Sequence, residues 1–132
     1  MKVKGQVLEN KRISFSVNDG PANYCDVGKA YGGLEDYPAP RDVLTASLGL
    51  CGLAVAAIFL ESKHKISASG MSFEADYEAG DQGVVKSINV KFFVKNIPSE
   101  LRESVKNVIL NMCPVKNTLQ SSININAEVH FD

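Results

Sequence analysis

Between Asp42 and Glu61 the chain runs from Val43 to Leu60 without a single charge. A run of that length and apolarity has two physical solutions: it crosses a bilayer, or it is a helix surrounded by protein. Thr45, Ser47, Gly49, Cys51 and Gly52 interrupt it, and polar, alternating sequence of a soluble kind follows it. Neither end carries the Trp or Tyr that marks a membrane interface. The reading is therefore a central helix buried on all sides. It starts near Pro40 and Asp42 and emerges into water at Glu61, Lys63 and Lys65. Thr45, Gly49, Gly52 and Ala56 recur at helical spacing, so one stripe is small and predicts close approach of another backbone.

On either side of this helix the periodicity is that of strands. Val3, Gly5 and Val7, then Ile13, Phe15 and Val17, alternate around Glu9 to Arg12, which reads as a hairpin. From Gly20 to Pro40 glycines and prolines break the pattern into a long flexible loop with a short strand near Tyr24 to Val27. Met71 to Tyr77 and Ile88 to Val94 alternate about a turn at Gly80 to Gly83, giving a second hairpin. Ser99 is placed to cap an amphipathic helix with apolar Leu101, Val105, Val108, Ile109 and Met112; it ends at Cys113, because Pro114 cannot continue it. Ile123, Ile125, Ala127, Val129 and Phe131 form a last strand. The expectation is an α+β fold with antiparallel sheets and a long buried central helix, one domain over residues 1–132.

Fourteen basic against fifteen acidic residues give a net charge of −1. That excludes the electrostatic footprint of a nucleic-acid or anionic-membrane partner. Three cysteines and no signal-like N-terminus point to the cytoplasm. His64 and His130 have no partner at ligand spacing and no two cysteines lie within four residues, so neither metal nor bound cofactor is expected.

The chemistry then rests on the thiols. Cys51 lies in the middle of the apolar helix, where it is either a small core residue or a reactive group. Cys113, ending a helix before Pro114, should lie at that element's surface. If the two form a redox pair, Cys113 feels the negative helix end and suits the resolving role, leaving Cys51 as nucleophile. Cys51 lies about 13 Å into its helix, where the N-terminal dipole is weak, so it needs a cation. Arg41, about 15 Å away along the same helix, could serve only a Cys51 on another chain; Arg12, at the hairpin tip, is the other candidate. Cys25, in the loop, reads as a bystander.

Pro38-Ala39-Pro40-Arg41-Asp42-Val43-Leu44-Thr45-Ala46-Ser47-Leu48-Gly49-Leu50-Cys51, together with Cys113-Pro114-Val115, resembles the two signature regions of the OsmC/Ohr family. The order of elements matches over essentially the whole chain. The resemblance implies an intertwined homodimer with two central helices packed between sheets. It also implies thiol-dependent reduction of organic hydroperoxides in stress defence, with Cys51 as peroxidatic and Cys113 as resolving cysteine and an external dithiol as reductant. In the hydroperoxide-resistance branch a glutamate ten residues before the first cysteine pairs with an N-terminal arginine. Here Arg41 stands at that position, the carboxylate is Asp42, and Arg12 is the stand-in arginine. A chain of 132 residues can hardly bury so apolar a helix alone, and its length reads as half of a dimer. Two rivals remain: a non-catalytic protein holding a small hydrophobic ligand in the interface cavity, and a cysteine hydrolase, which would need a general base beside Cys51.

Overall fold

In the computed structural model, which describes all 132 residues, the uncharged run forms helix α1, Pro40–Ala57, prolonged by a π-helical turn over Ile58–Lys63. Its start is chemically specified. Pro40 opens the helix, where a missing N–H costs nothing, and the Asp42 carboxylate accepts the Ala39 backbone N–H at 2.8 Å. The chain gathers into two units, Met1–Leu44 and Thr45–Asp132.

The first unit carries strands β1 (Val3–Val7), β2 (Ile13–Val17) and β3 (Asn23–Cys25), antiparallel in that order. The expected hairpin turns through a 3-10 segment, Glu9–Lys11, with Asn10 and Lys11 in the left-handed region at φ 58° and 60°. The Leu8 N–H closes it by donating to the Arg12 carbonyl at 2.6 Å, which fixes Arg12 at the start of β2. Beyond β3 the glycine-rich segment is ordered rather than loose. The Asp26 N–H donates to the Pro38 carbonyl and the Lys29 N–H to Glu35 at 2.9 Å, while Gly33 lies so close to the Val27 carbonyl that any Cβ would collide with backbone. Cys25 is correspondingly the buried last residue of β3, 6% exposed, and not part of a mobile loop.

The second unit packs α1 on strands β4 (Ser72–Ala79), β5 (Val85–Val94) and β6 (Asn124–Phe131), in the order β4-β5-β6. Ile88, Val90, Phe92 and Val94 alternate inward from the central strand to meet Leu48, Ala56 and Leu60 of the helix, with Val105 and Ile109 completing the core. The opposite face is polar: Asn126 donates to Asn89 at 3.0 Å and Asn89 to Asp76 at 2.8 Å, a ladder across all three strands. The β4–β5 hairpin is antiparallel as expected, but β5 and β6 run parallel, so the sheet is mixed. The cause lies in the connection: α2 (Arg102–Asn111) and α3 (Pro114–Leu119) form a crossover that returns the chain to the starting end of β5.

Three helix expectations are corrected by the structure. Pro40–Lys63 is long and apolar enough to cross a membrane, yet it buries only one stripe within the chain. Thr45, Leu48, Gly49, Gly52 and Ala56 are buried, whereas Leu50 is 60% and Ile58 63% exposed on the other face. The small stripe also receives aromatic rings rather than a backbone. A Cβ on Gly49 would fall on ring carbons of Phe73, and one on Gly52 on those of Phe92. Ser99 does not cap α2 either; it begins a 3-10 turn, Ser99–Leu101, that leads into the helix.

Candidate active site

Cys113 does not end a helix. α2 stops at Asn111, and Cys113, in extended conformation at φ −79° and ψ 112°, is the N-cap of α3, with Pro114 in the first turn. Its sulfur accepts the Lys116 backbone N–H at 3.4 Å, and the Val115 amide acts on it in the same sense. The helix end facing this sulfur is therefore the electropositive one, reversing the polarity expected from the sequence. α3 is tied to the open end of α2. Lys116 Nζ donates to the Leu110 carbonyl at 2.7 Å and Asn117 Nδ2 to the Asn111 carbonyl at 3.1 Å, satisfying acceptors a helix terminus leaves bare. Cys113 is also buried, 2% exposed, where surface placement was expected.

The fold brings Cys51 to this sulfur. It stands beside Gly52, whose missing side chain lets α1 settle on the Phe92 ring, and across 62 residues of sequence its thiol comes near enough to act on that of Cys113. Burial pushes the Cys113 thiol up, and the neighbouring Cys51 thiol pushes it further; the Lys116 and Val115 amides pull the other way. Cys51 itself is half-buried. One turn beyond it begins a groove of about 710 Å³, lined by the apolar Val55, Ile58, Phe59, Val108 and Met112 and by the polar Lys63, Glu103, Ser104 and Asn107. It lies between α1 and α2, and Met112 directly precedes Cys113.

In the first unit Arg12 has a carboxylate partner, but it is neither Asp42 nor any residue of α1. Nε meets Asp26 Oδ1 at 2.8 Å and Nη2 meets Oδ2 at 2.9 Å, a two-bond fork; Asp36 lies at 3.4 Å, and the guanidinium rests 4.6 Å over the Tyr37 ring. Asp26, with its side chain 1% exposed, also accepts the Asp36 and Tyr37 backbone N–H groups at 2.9 and 3.0 Å. The Arg12 hydrogen bonds hold the Asp26 carboxyl well below the usual carboxylate range, and the same pair raises the guanidinium. Nothing in the sequence marked Asp26, an isolated acid in a loop. Asp42 is engaged at the helix cap, and with Asp26 it adds to the burial that pushes the Cys25 thiol up. Arg41 is exposed in the first turn of α1. The sequence does carry a signal for the Cys113 environment, since cysteine before proline is also the pattern of an N-cap followed by a first-turn proline.

The family model described as OsmC-like protein matches residues 33–128. The chain belongs to the OsmC-like family. Solved OsmC-like structures superpose over nearly all of it. A Psychrobacter arcticus 273-4 protein, described as an osmotic stress induced and detoxification response protein, has a TM-score of 0.85 at 19% identity, over 98% of this chain and 96% of that one. The OsmC like protein from Mycoplasma pneumoniae gives 0.78 at 20% identity, covering 98% and 95%. The organic hydroperoxide resistance protein OhrB of Bacillus subtilis gives 0.65 at 15%, covering 98% and 96%. No curated protein sequence matches. At these identities the structural likeness establishes the α+β fold of this OsmC-like chain.

Proposed function

We propose that the protein is a thiol peroxidase that reduces organic hydroperoxides, with Cys51 as the attacking and Cys113 as the resolving cysteine. The observation that carries this reading is the juxtaposition of two thiols 62 residues apart in sequence, near enough for Cys51 to push the Cys113 thiol up. The Cys51 thiolate attacks the distal peroxide oxygen, the O–O bond breaks, and the alkoxide leaves and takes a proton as alcohol. The Cys51 sulfenic acid then meets Cys113; the S–S bond forms, and the hydroxyl leaves with the Cys113 proton as water. An external dithiol returns both thiols to the reduced state, and no bound metal or cofactor takes part. The apolar wall of the groove, with Val55, Ile58, Phe59, Val108 and Met112, favours a substrate with a hydrocarbon substituent over hydrogen peroxide. The exposed apolar face of α1, with Leu50 and Ile58, is covered by a second copy in a homodimer, and the protein works in the cytoplasm.

Dithiol-dependent consumption of cumene hydroperoxide tests the reading. Wild type turns over, Cys51→Ser does not, and Cys113→Ser stops at the sulfenic acid; turnover that survives Cys51→Ser contradicts the assignment. The volume of the groove supports a second reading, a protein that holds a small hydrophobic ligand without turnover. An inactive wild type from which an apolar ligand is recovered would decide for it.

A further inference from the structure

We propose that Lys116 is the positioning residue of Cys113: its ammonium latches α3 to the end of α2 and so holds the Cys113 sulfur in one place. The part this plays in the reaction rests on the reading of Cys113 as the resolving thiol; the latch itself does not. Lys116 grips the elbow between the two helices at both of its ends. Its backbone N–H donates to Cys113 Sγ at 3.4 Å, and its Nζ reaches back past that cysteine to the Leu110 carbonyl at 2.7 Å. Cys113 lies midway between the two residues that the side chain joins, in extended conformation between the end of α2 and the start of α3, where the chain can hinge.

The chemistry of the elbow gives this one contact its weight. α2 ends at Asn111, and a helix end leaves its last carbonyls bare and carries partial negative charge. The Met112 N–H takes the Val108 carbonyl at 3.0 Å and the exposed Asn117 side chain takes the Asn111 carbonyl at 3.1 Å. Of these three donors only Lys116 is charged, which makes its bond the strongest, and it forms no ion pair with a carboxylate that would draw it away. Its stem stands with Cys113, Leu48 and Ile109 around a void of about 10 Å³, space for a single water at most, so the stem packs beside the cysteine while the ammonium reaches past it. A hydrogen bond to a charged group shifts an equilibrium by about ten- to hundredfold, so the closed elbow should lose that much of its advantage when the ammonium is removed. A Cys113 thiol that swings with an open elbow meets the Cys51 sulfenic acid less often, which slows the closing step and leaves the attack on peroxide as it was.

The experiment uses the full chain with Lys116→Met, which keeps the stem, and with Lys116→Arg, which keeps a charged donor. Alkylation of native protein by iodoacetamide is followed by peptide mass at each cysteine. The expected result is a Cys113 rate about tenfold or more above wild type in Lys116→Met, restored to within about twofold in Lys116→Arg. Cys25, buried in the other unit, should keep its rate, because only the elbow has opened. An unchanged Cys113, an equal rise at Cys25 that marks general loosening, or an arginine variant as fast as the methionine one overturns the proposal. Wild type supplies a measurement that needs no variant: limiting N-hydroxysuccinimide acetate should acetylate Lys116 after exposed Lys91 and Lys106, and early acetylation of Lys116 overturns the latch. With cumene hydroperoxide, Lys116→Met should form the Cys51 sulfenic acid at the wild-type rate and lose its second thiol about tenfold more slowly; closure at the wild-type rate overturns the positioning role. A wild type inert to peroxide whose Cys113 is unlocked by Lys116→Met would remove the peroxidase reading and support the latch.

Discussion

Replacing Gly52 by alanine should destabilise the protein, although helix propensity alone predicts the reverse. In the middle of α1 an alanine is worth about 1 kcal/mol more than glycine. Against that, the new methyl would sit within the 3.0 Å that real Cβ contacts do not reach, on the Phe92 ring. Overpacking of this kind costs about 1–3 kcal/mol, depending on whether the neighbour can give way. Phe92 lies on the central strand and is 3% exposed, so its ring has nowhere to turn and the upper half of the range applies. The net expectation is a loss of about 1–2 kcal/mol, which at roughly 4 °C per kcal/mol lowers Tm by about 4–8 °C. Gly49→Ala meets Phe73 on edge strand β4, which is only partly buried, and should come out near neutral. Lifting α1 at Gly52 also moves Cys51 from Cys113, so closure of the disulfide should slow. Urea unfolding followed by circular dichroism gives the first quantity, and stopped-flow thiol loss after peroxide the second. Adding Phe92→Leu to Gly52→Ala should recover part of the loss, as contacting residues couple. A Gly52→Ala protein stabilised by about 1 kcal/mol would refute the packing argument.

Three other outcomes follow from the geometry. Because the Asp26 carboxyl is held below its ordinary value, its stabilisation is present above about pH 3.9 and fades as pH falls through the lowered native value. Thermal melts should thus find Asp26→Asn less stable than wild type by a constant margin from pH 7 to about pH 4, with the margin closing below; a margin unchanged at pH 2 would discount the ion pair. Native protein given limiting iodoacetamide should be alkylated at Cys51 well before buried Cys113 and Cys25, and all three should react alike in urea; early labelling of Cys113 would contradict its burial. Ile58→Asp, on the exposed face of α1, should give a 14.3 kDa species in light scattering where wild type gives twice that mass, and an unchanged mass would remove this face from the interface.

Much of the fold was legible because it depends on local periodicity. The alternation around Ile88 to Val94 specified a strand and its buried face, and the uncharged run after Asp42 specified a helix, though not that only one stripe of it is buried within the chain. What stayed hidden depends on contacts between distant residues. The alternation of Ile123 to Phe131 is the same whether that strand pairs parallel or antiparallel, and only the crossover through α2 and α3 decides it. Gly49 and Gly52 announced close approach without saying that rings would fill the space. At the site the two cysteines could be singled out by spacing and resemblance, but Arg12 found its carboxylate in Asp26, where a loop folds back on the hairpin. A proline after a cysteine fits the end of one helix and the start of the next equally well, so local sequence does not say at which end Cys113 stands; Pro114 starts α3.

One measurement tests the pairing of the thiols most directly: reduced protein is mixed with a single equivalent of cumene hydroperoxide, quenched, and its disulfides are mapped by peptide mass spectrometry. The account predicts loss of two thiols per chain and one link, Cys51 to Cys113, with Cys25 free. A link through Cys25, or two thiols left intact beside unreacted peroxide, would contradict it.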